Sequence, residues 1–362
     1  MIDDGGGVPS DPGPAGHLEV RPATDGDREG WNRFVAAAAT PATNRFEWAG
    51  VLESVYRVPT TYLVAEDRSG SIRGVLGLYE TRTLRGRRHV HSLRHGLVAA
   101  DDAAARALVT ATVERFPAAD VADISVTSGY RDHDLPMASR RRASLVLPLT
   151  ADEDAMWSAL GKKSRNLVRK AQKAGVEVHS SPEHLDDVCR IYERHMVAMG
   201  VSIHRRSFFQ RVLEALDDDA ELLVATHEGR VIGGTLVLYA PHVAIYPYQT
   251  AAGEHMDKAP NQIMIWETMR AAARRGIERL DMGESQRGGS TYRFKHNFGG
   301  EDVDVHYYHP LRPAPAPVRA EDGQDPDETP ADRVHGRRLT ARLPYPVARE
   351  MHRYLRRRGR IV

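Results

Sequence analysis

Two segments of this 362-residue chain repeat at a fixed offset of 160 residues. Leu63-Val64-Ala65 returns as Leu223-Val224-Ala225, and Gly74 through Leu78-Tyr79 returns as Gly234 through Leu238-Tyr239. Each copy reads as a β-hairpin: an apolar run, a polar turn (Arg68-Ser69-Gly70 or His227-Glu228-Gly229) and a second apolar run. A hairpin repeated at domain-sized spacing implies a repeated domain. Strand and helix patterns alternate around both copies, which predicts an α/β class with mixed sheets. Two such domains in tandem are expected to leave a cleft between or beside them, a favoured place for ligands.

Composition supports a soluble, two-domain protein: 41% of residues are hydrophobic, enough for each half to bury a core. Neither a charged-then-apolar leader nor an apolar run of about 18 residues is evident, so neither a cleaved signal nor a membrane span is expected. The single cysteine, Cys189, excludes an internal disulfide framework and fits the reducing cytoplasm. It sits among Val188, Ile191 and Tyr192 in a helical pattern, the setting of a buried thiol and not of a nucleophile. The net charge is only +1, yet Lys162, Lys163, Arg165, Arg169, Lys170 and Lys173 follow one another without an acid between them. Charged partners are therefore expected at local patches.

Residues 1–16 are rich in Gly, Pro and Asp and are expected to be disordered. A first domain over 17–150 is predicted to hold helices around Gly30–Ala38 and Trp48–Tyr56, the first hairpin over Thr61–Thr81, a helix from Asp102 to Phe116 and a strand at Val121–Val126. Between them, Thr83–His95 is basic, and its His89, His91 and His95 invite a metal reading. No carboxylate or cysteine cluster accompanies them, so surface or core histidines are expected and no metal. The second domain, 151–310, is predicted to open with a strand at Ser144–Leu149 and a helix that runs from Asp152 to Gly175. Helices at Pro182–Met199 and Arg206–Leu216 follow, then the second hairpin, a strand at Val243–Tyr248, a helix from Asn261 to Arg275, and strands at Arg279–Met282 and Val303–Tyr308. A Pro- and acid-rich linker at 311–332 leads to an arginine-rich tail at 333–362. There Leu339, Leu343, Val347, Met351 and Leu355 recur every four residues, while Pro344 and Pro346 forbid one continuous helix.

Chemistry is most evident where the last but one strand ends. Asp281-Met282-Gly283-Glu284-Ser285, Gly288-Gly289 and Phe294-Lys295-His296-Asn297-Phe298-Gly299-Gly300 form a polar, glycine-rich stretch, and loops at the carboxyl ends of strands commonly bind ligands. Lys295 lies between two aromatics. Its ammonium would serve as a partner for phosphate or an oxyanion, or its stem would simply cover apolar surface. Asp281 is a candidate base, and equally a candidate cap for backbone N–H groups.

The run from Lys162 to Val176, Asn261 opening a helix, Asp281-Met282-Gly283, and Phe294-Lys295 with Phe298-Gly299-Gly300 together resemble the Fem (FemAB-like) family. Those enzymes are tandem GNAT-like proteins that add amino acids from aminoacyl-tRNA to peptidoglycan precursors. The resemblance spans roughly residues 45–310 and is strongest in the second domain. It implies two tandem GNAT-like N-acyltransferase domains and an aminoacyl-tRNA donor, with no tightly bound cofactor. It also implies a cell-envelope precursor as acceptor. Within it, Phe294 and Lys295 fall on the Phe-Lys pair that meets phosphate at the tRNA acceptor end. Tyr248, with Tyr246 as second choice, falls on the donor-channel tyrosine. Arg205 with Phe209, or Arg206 close behind, falls on an arginine and aromatic that hold precursor phosphates. Asn261, Arg165 and Asp281 complete the substrate-binding set that the resemblance implies.

Other readings stay open. The same domain type occurs in exopolysaccharide and natural-product assembly, where acyl-CoA or an acyl carrier protein would be the donor. The coenzyme A loop of ordinary GNAT enzymes needs several glycines at a helix N-terminus, and residues 250–260 offer only Gly253. A non-catalytic module of the same fold is a third reading. The arginine-rich tail is a candidate for peripheral contact with the inner membrane face.

Overall fold

In the computed structural model, residues 18–83, 85–285, 287–311, 343–358 and 361 are described. The 1–16 stretch and the 311–332 linker, apart from Leu311, lie outside the described residues, as does Leu339 of the tail. The chain divides into two compact units, residues 1–141 with 304–315 and 362, and residues 142–303 with 316–361. The division falls between Arg141 and Arg142.

The first unit contains β1 (Glu19–Pro22), α1 (Arg28–Ala37), α2 (Trp48–Tyr56), β2 (Thr60–Glu66), β3 (Ile72–Arg82), β4 (Arg88–Ala99), α3 (Asp102–Arg115) and β5 (Asp123–Gly129). The second is built from β6 (Ala138–Pro148), α4 (Glu153–Ala159), α5 (Lys162–Lys173), β7 (Val176–Ser180), α6 (Leu185–Met199), α7 (Arg206–Leu216), β8 (Ala220–His227), β9 (Arg230–Tyr239), β10 (Val243–Ala251), α8 (Pro260–Arg274), β11 (Arg279–Ser285) and α9 (Ser290–His296). The chain then enters β12 (Glu301–His309), whose Val305–Tyr308 pair with β5 of the first unit, and ends in α10 (Tyr345–Arg356) of the second.

Strand order is β1-β2-β3-β4-β5-β12 in the first unit and β7-β8-β9-β10-β11-β6 in the second. In both, three antiparallel pairings are followed by one parallel pairing and a last antiparallel one. A helix joins the parallel strands in each, α3 between β4 and β5 and α8 between β10 and β11, as a crossover between parallel strands requires. The repeat seen in the sequence is thus a repeat of topology. Both hairpins carry a register irregularity at the same place, between Ala65 and Glu66 and between Ala225 and Thr226, again 160 residues apart (225 − 65). They are not identical in register: Val64 faces Val75, whereas Val224 faces Gly234. The turns explain the difference. Glu228 and Gly229 both have positive φ (51° and 71°), the two-residue turn that suits a tight hairpin, while the longer first turn is held by the Asp67 side chain, which accepts from Ser69 and Ser71 N–H.

Several elements depart from expectation. The histidine-rich stretch at 83–95 is largely strand β4, with Val90 and Leu93 buried. Only two of its residues between Arg88 and His95 are apolar, so no period-2 pattern marks it as a strand. The helix predicted from Asp152 to Gly175 is two helices. Leu160 and Gly161 are extended (ψ 140° and 143°), and a Cβ on Gly161 would stand 2.3 Å from the Asn297 carbonyl oxygen, so a side chain there is excluded by close backbone approach. Strands β1 and β7 and helix α9 add to the elements the sequence predicts, α9 lying within the polar, glycine-rich stretch. Pro344 and Pro346 occupy the cap and first turn of α10, where a missing N–H costs nothing.

The second unit's core lies where α4, α5 and α8 cover the sheet: Val168, Ala171, Ile263, Met264 and Met269 pack on Leu223, Val237 and Leu280. In the first, α3 sets Ala105, Leu108 and Val109 against Leu76, Leu97 and Ile124.

Candidate active site

Strands β10 and β11 run parallel for three residues only, Val243–Ile245 against Arg279–Asp281. At that level both are irregular: β10 shifts register against β9 between Ile245 and Tyr248, and β11 shifts against β6 between Asp281 and Glu284. Both strands continue beyond the point where their common register ends, so they form a fork. Bulges re-aim side chains, and the one in β10 has a clear effect. Tyr246 lies in the core beneath α5 and α8, while Tyr248, two residues on, lines a recess against α6 and α7 on the other face. The sequence treated these two tyrosines as alternatives for one position; the bulge separates them.

On the β11 side the fork is gripped from within. The buried Asp281 carboxylate accepts from Gly283 N–H at 2.6 Å and from the Ser144 hydroxyl. Lys295, 7% exposed on α9, donates from Nζ to the Gly283 carbonyl at 2.6 Å and to that of Glu284 at 3.2 Å. Gly283 has φ +78°, which only glycine adopts cheaply. Asp281 therefore takes the capping role and Lys295 anchors the bulge through its carbonyls. Phe294 points elsewhere. Its ring meets Phe298 (centroids 5.7 Å apart) and lines a pocket with Lys163, Leu167, Gln262 and Arg293. Lys163 and Arg293 are the cations at that pocket; Lys163 belongs to the acid-free basic run of α5, whereas Arg293 has no such signal in the sequence.

On the β10 side a small recess is walled by Val188, Cys189 and Tyr192 of α6, Phe209 of α7, and Tyr248 and Thr250. Burial and the neighbouring Glu193 carboxylate push the Cys189 thiol up to about 12, consistent with an inert wall residue. Around Tyr248 stand four further rings, Tyr192, His204, Phe208 and Phe209, with centroids 5.0–6.4 Å from it and near-perpendicular planes. The Tyr248 hydroxyl is 3.1 Å from His204 Nε2, which also receives a hydrogen bond from Arg356 of α10. His204 is fully buried, and burial together with the Arg356 charge holds its imidazole well below the usual histidine range. His195 on α6 is exposed, with Nδ1 3.3 Å from the Thr250 hydroxyl, and partial desolvation of the ring lowers its pKa. Neither histidine was a candidate in the sequence. An isolated histidine in a helix gives no signal until tertiary packing buries it.

The other expected residues fall outside this cluster. Arg205 precedes α7 and is exposed; Arg206 pairs with Asp186, while Phe209, four residues after Arg205, turns inward. Asn261, in the first turn of α8, accepts from Gln249 Nε2 on both its side-chain and backbone oxygens. Arg165 donates to the carbonyls of Ser158 and Leu160 (2.7 and 2.8 Å), closing the break between α4 and α5. With Trp157, Lys162, Asn166 and Arg169 it lines a broad basic depression.

The first unit repeats the fork in β4 and β5, which pair in parallel over His89–His91 and Asp123–Ser125. There the buried His95 packs its ring where a Cβ on Gly129 would be, 2.5 Å away, and edge-on against Tyr130. His91 faces the Thr81 hydroxyl at 3.1 Å. Among the described residues no group of three or more His, Cys, Asp or Glu is arranged to hold a metal ion.

Residues 159–296, which include α5 through α9, match the family model described as an acetyltransferase (GNAT) domain. No curated protein matches the chain in sequence. Among solved structures, FemX is similar with a TM-score of 0.62 and 16% identity, covering 80% of this chain and 97% of that one. A tandem GNAT protein from the clavulanic acid biosynthesis pathway aligns with a TM-score of 0.54 and 15% identity over 83% of this chain and all of the other (100%). The C-terminal domain of a putative lysylphosphatidylglycerol synthetase from Agrobacterium fabrum aligns with a TM-score of 0.53 and 11% identity over 78% and 91%. The mixed sheets, the forked parallel strands and the domain match agree: the chain has a GNAT-like fold, and residues 159–296 of its second unit are similar to a GNAT acetyltransferase domain.

Proposed function

We propose that the protein is an acyltransferase that forms an amide, moving an aminoacyl group from aminoacyl-tRNA to an amine on a cell-envelope precursor. The observation that carries the reading is the β10–β11 fork in the unit that matches the acetyltransferase domain. An acyl group laid into the fork meets backbone groups no longer engaged between the two strands, the kind of donor that stabilises a developing oxyanion. In the reaction the acceptor nitrogen attacks the ester carbonyl, the C–N bond forms, the C–O bond to the ribose breaks, and the amine proton ends on the departing oxygen. We assign the proton relay to His195, whose imidazole has a lowered pKa and stands beside the Thr250 hydroxyl. Lys295 is assigned a positioning role through Gly283 and Glu284. Contact with donor phosphate passes to Lys163 and Arg293 at the neighbouring pocket and to the basic face of α5.

A second reading, an acyl-CoA donor, is favoured by the domain match itself. The start of α8 speaks for the larger donor. Pro260 has no N–H and the Gln262 N–H already bonds the Ala259 carbonyl, so two amides that a pyrophosphate would use in an ordinary GNAT loop are not offered. Incubation with mixed radiolabelled aminoacyl-tRNAs and amine acceptors should consume an ester and yield an amide. Saturable stabilisation by coenzyme A, with no ester consumed, would move the assignment to the second reading.

A further inference from the structure

Among the described residues, six large apolar side chains are more than a third exposed, and four of them lie within twelve residues: Leu343 (37%), Tyr345 (39%), Val347 (53%) and Tyr354 (47%). All belong to α10 or the turn before it. The helix has two different faces. Inward, Ala348 and His352 are buried, Arg353 pairs with the buried Glu193, and Arg356 reaches Ser202 at 3.3 Å as well as His204. This face anchors α10 to the second unit. Outward, Val347 and Tyr354 stand seven residues apart on one line of the helix, the Arg358 guanidinium stacks 5.1 Å from the Tyr354 ring, and Arg357 is exposed. The only acid of the helix, Glu350, is engaged by Arg353 at 2.6 Å and Arg349 at 3.3 Å, so the outer face is net positive. Residues 356–360 read Arg-Arg-Arg-Gly-Arg.

We propose that α10 is a docking helix for an anionic lipid bilayer, lying along the membrane surface with Val347 and Tyr354 in the headgroup boundary and Arg357 and Arg358 on lipid phosphates. Two properties favour a bilayer over a nucleic acid. Exposed aliphatic side chains gain nothing against a phosphodiester backbone, and tyrosines with flanking arginines are suited to an interface that is apolar on one side and anionic on the other. No helix among the described residues is long and apolar enough to cross a membrane, so the contact is peripheral. The inference does not depend on the donor or acceptor assigned above.

The test is co-sedimentation of the full chain with vesicles of phosphatidylglycerol and phosphatidylcholine, and of phosphatidylcholine alone. Binding is expected to the anionic vesicles only and to weaken as salt rises. Arg357→Glu/Arg358→Glu, at about 1 kcal/mol per charge removed, should lower partitioning by roughly thirty-fold or more, and Val347→Asp by roughly tenfold. Because Val347 is exposed, Val347→Asp should keep the parent melting temperature. Val347→Cys can be labelled selectively with a polarity-sensitive dye, since the native Cys189 is buried, and its emission should shift to the blue on anionic vesicles. Equal binding to both vesicle types, no loss in either charge or apolar variant, or no dye shift would overturn the proposal. So would high-affinity tRNA binding through these same residues without vesicle binding.

Discussion

Replacing Lys295 by Met keeps most of the buried stem and removes the ammonium, and therefore isolates what Nζ does. It donates at 2.6 Å and 3.2 Å to two carbonyls of the β11 bulge from a site 7% exposed. Hydrogen bonds from a charged donor contribute about 1.5–3 kcal/mol each, the longer one at the lower end. Met escapes the cost of burying a cation, which offsets part of the loss. A net destabilisation of about 2–3 kcal/mol follows, or roughly 5–10 °C in Tm for a unit of this size. Freed from its anchor, the bulge should relax around Gly283, and acyl transfer should fall together with stability. Lys295→Arg should recover part of both. Thermal unfolding with kinetics on the same preparations reads the outcome. If Lys295→Met melts within about 1 °C of the parent yet loses transfer, the ammonium acts on a ligand and the anchoring argument is wrong.

Gly161→Ala should destabilise by about 1–3 kcal/mol in urea, since the added Cβ meets the Asn297 carbonyl oxygen 2.3 Å away; Gly253→Ala, with nothing within 4 Å, should be near neutral. His204 is kept neutral by burial, so its folded pKa lies below its unfolded value near 6.5. Below that pH the unfolded state binds a proton that the folded state refuses, and stability should fall with decreasing pH by at most about 1.4 kcal/mol per unit from this residue. His204→Phe should flatten that slope between pH 7 and 5, and an unchanged slope would show that the imidazole is not excluded from protonation. Cys189, pushed up to about 12, should react with an aromatic disulfide reagent only as the protein unfolds; rapid labelling of the native protein would contradict its place in the wall of the recess.

Much of the candidate site was legible only as composition. The strand end at Asp281-Met282-Gly283 and the Phe294-Lys295 pair drew notice because glycines and a lysine flanked by aromatics cluster there. Their roles were not legible. That Lys295 turns to the Gly283 and Glu284 carbonyls while Phe294 faces a pocket depends on α9, a short helix with glycines before it. His195 and His204 carry no pattern of their own, and Tyr246 and Tyr248 share a strand parity that a single bulge cancels.

What the chain determines by itself is local and periodic. The 160-residue repeat of a hairpin, the alternation of strand and helix, and the acid-free run of α5 follow from spacing along the backbone, because strand and helix periods act over a few residues. Tertiary structure decided the rest. The last strand before the tail pairs with β5, two hundred residues from it in sequence by order of magnitude, and no local pattern records a partner so distant. The fork between β10 and β11 likewise arises where two bulges in separate strands meet at one level, a coincidence that only packing can register.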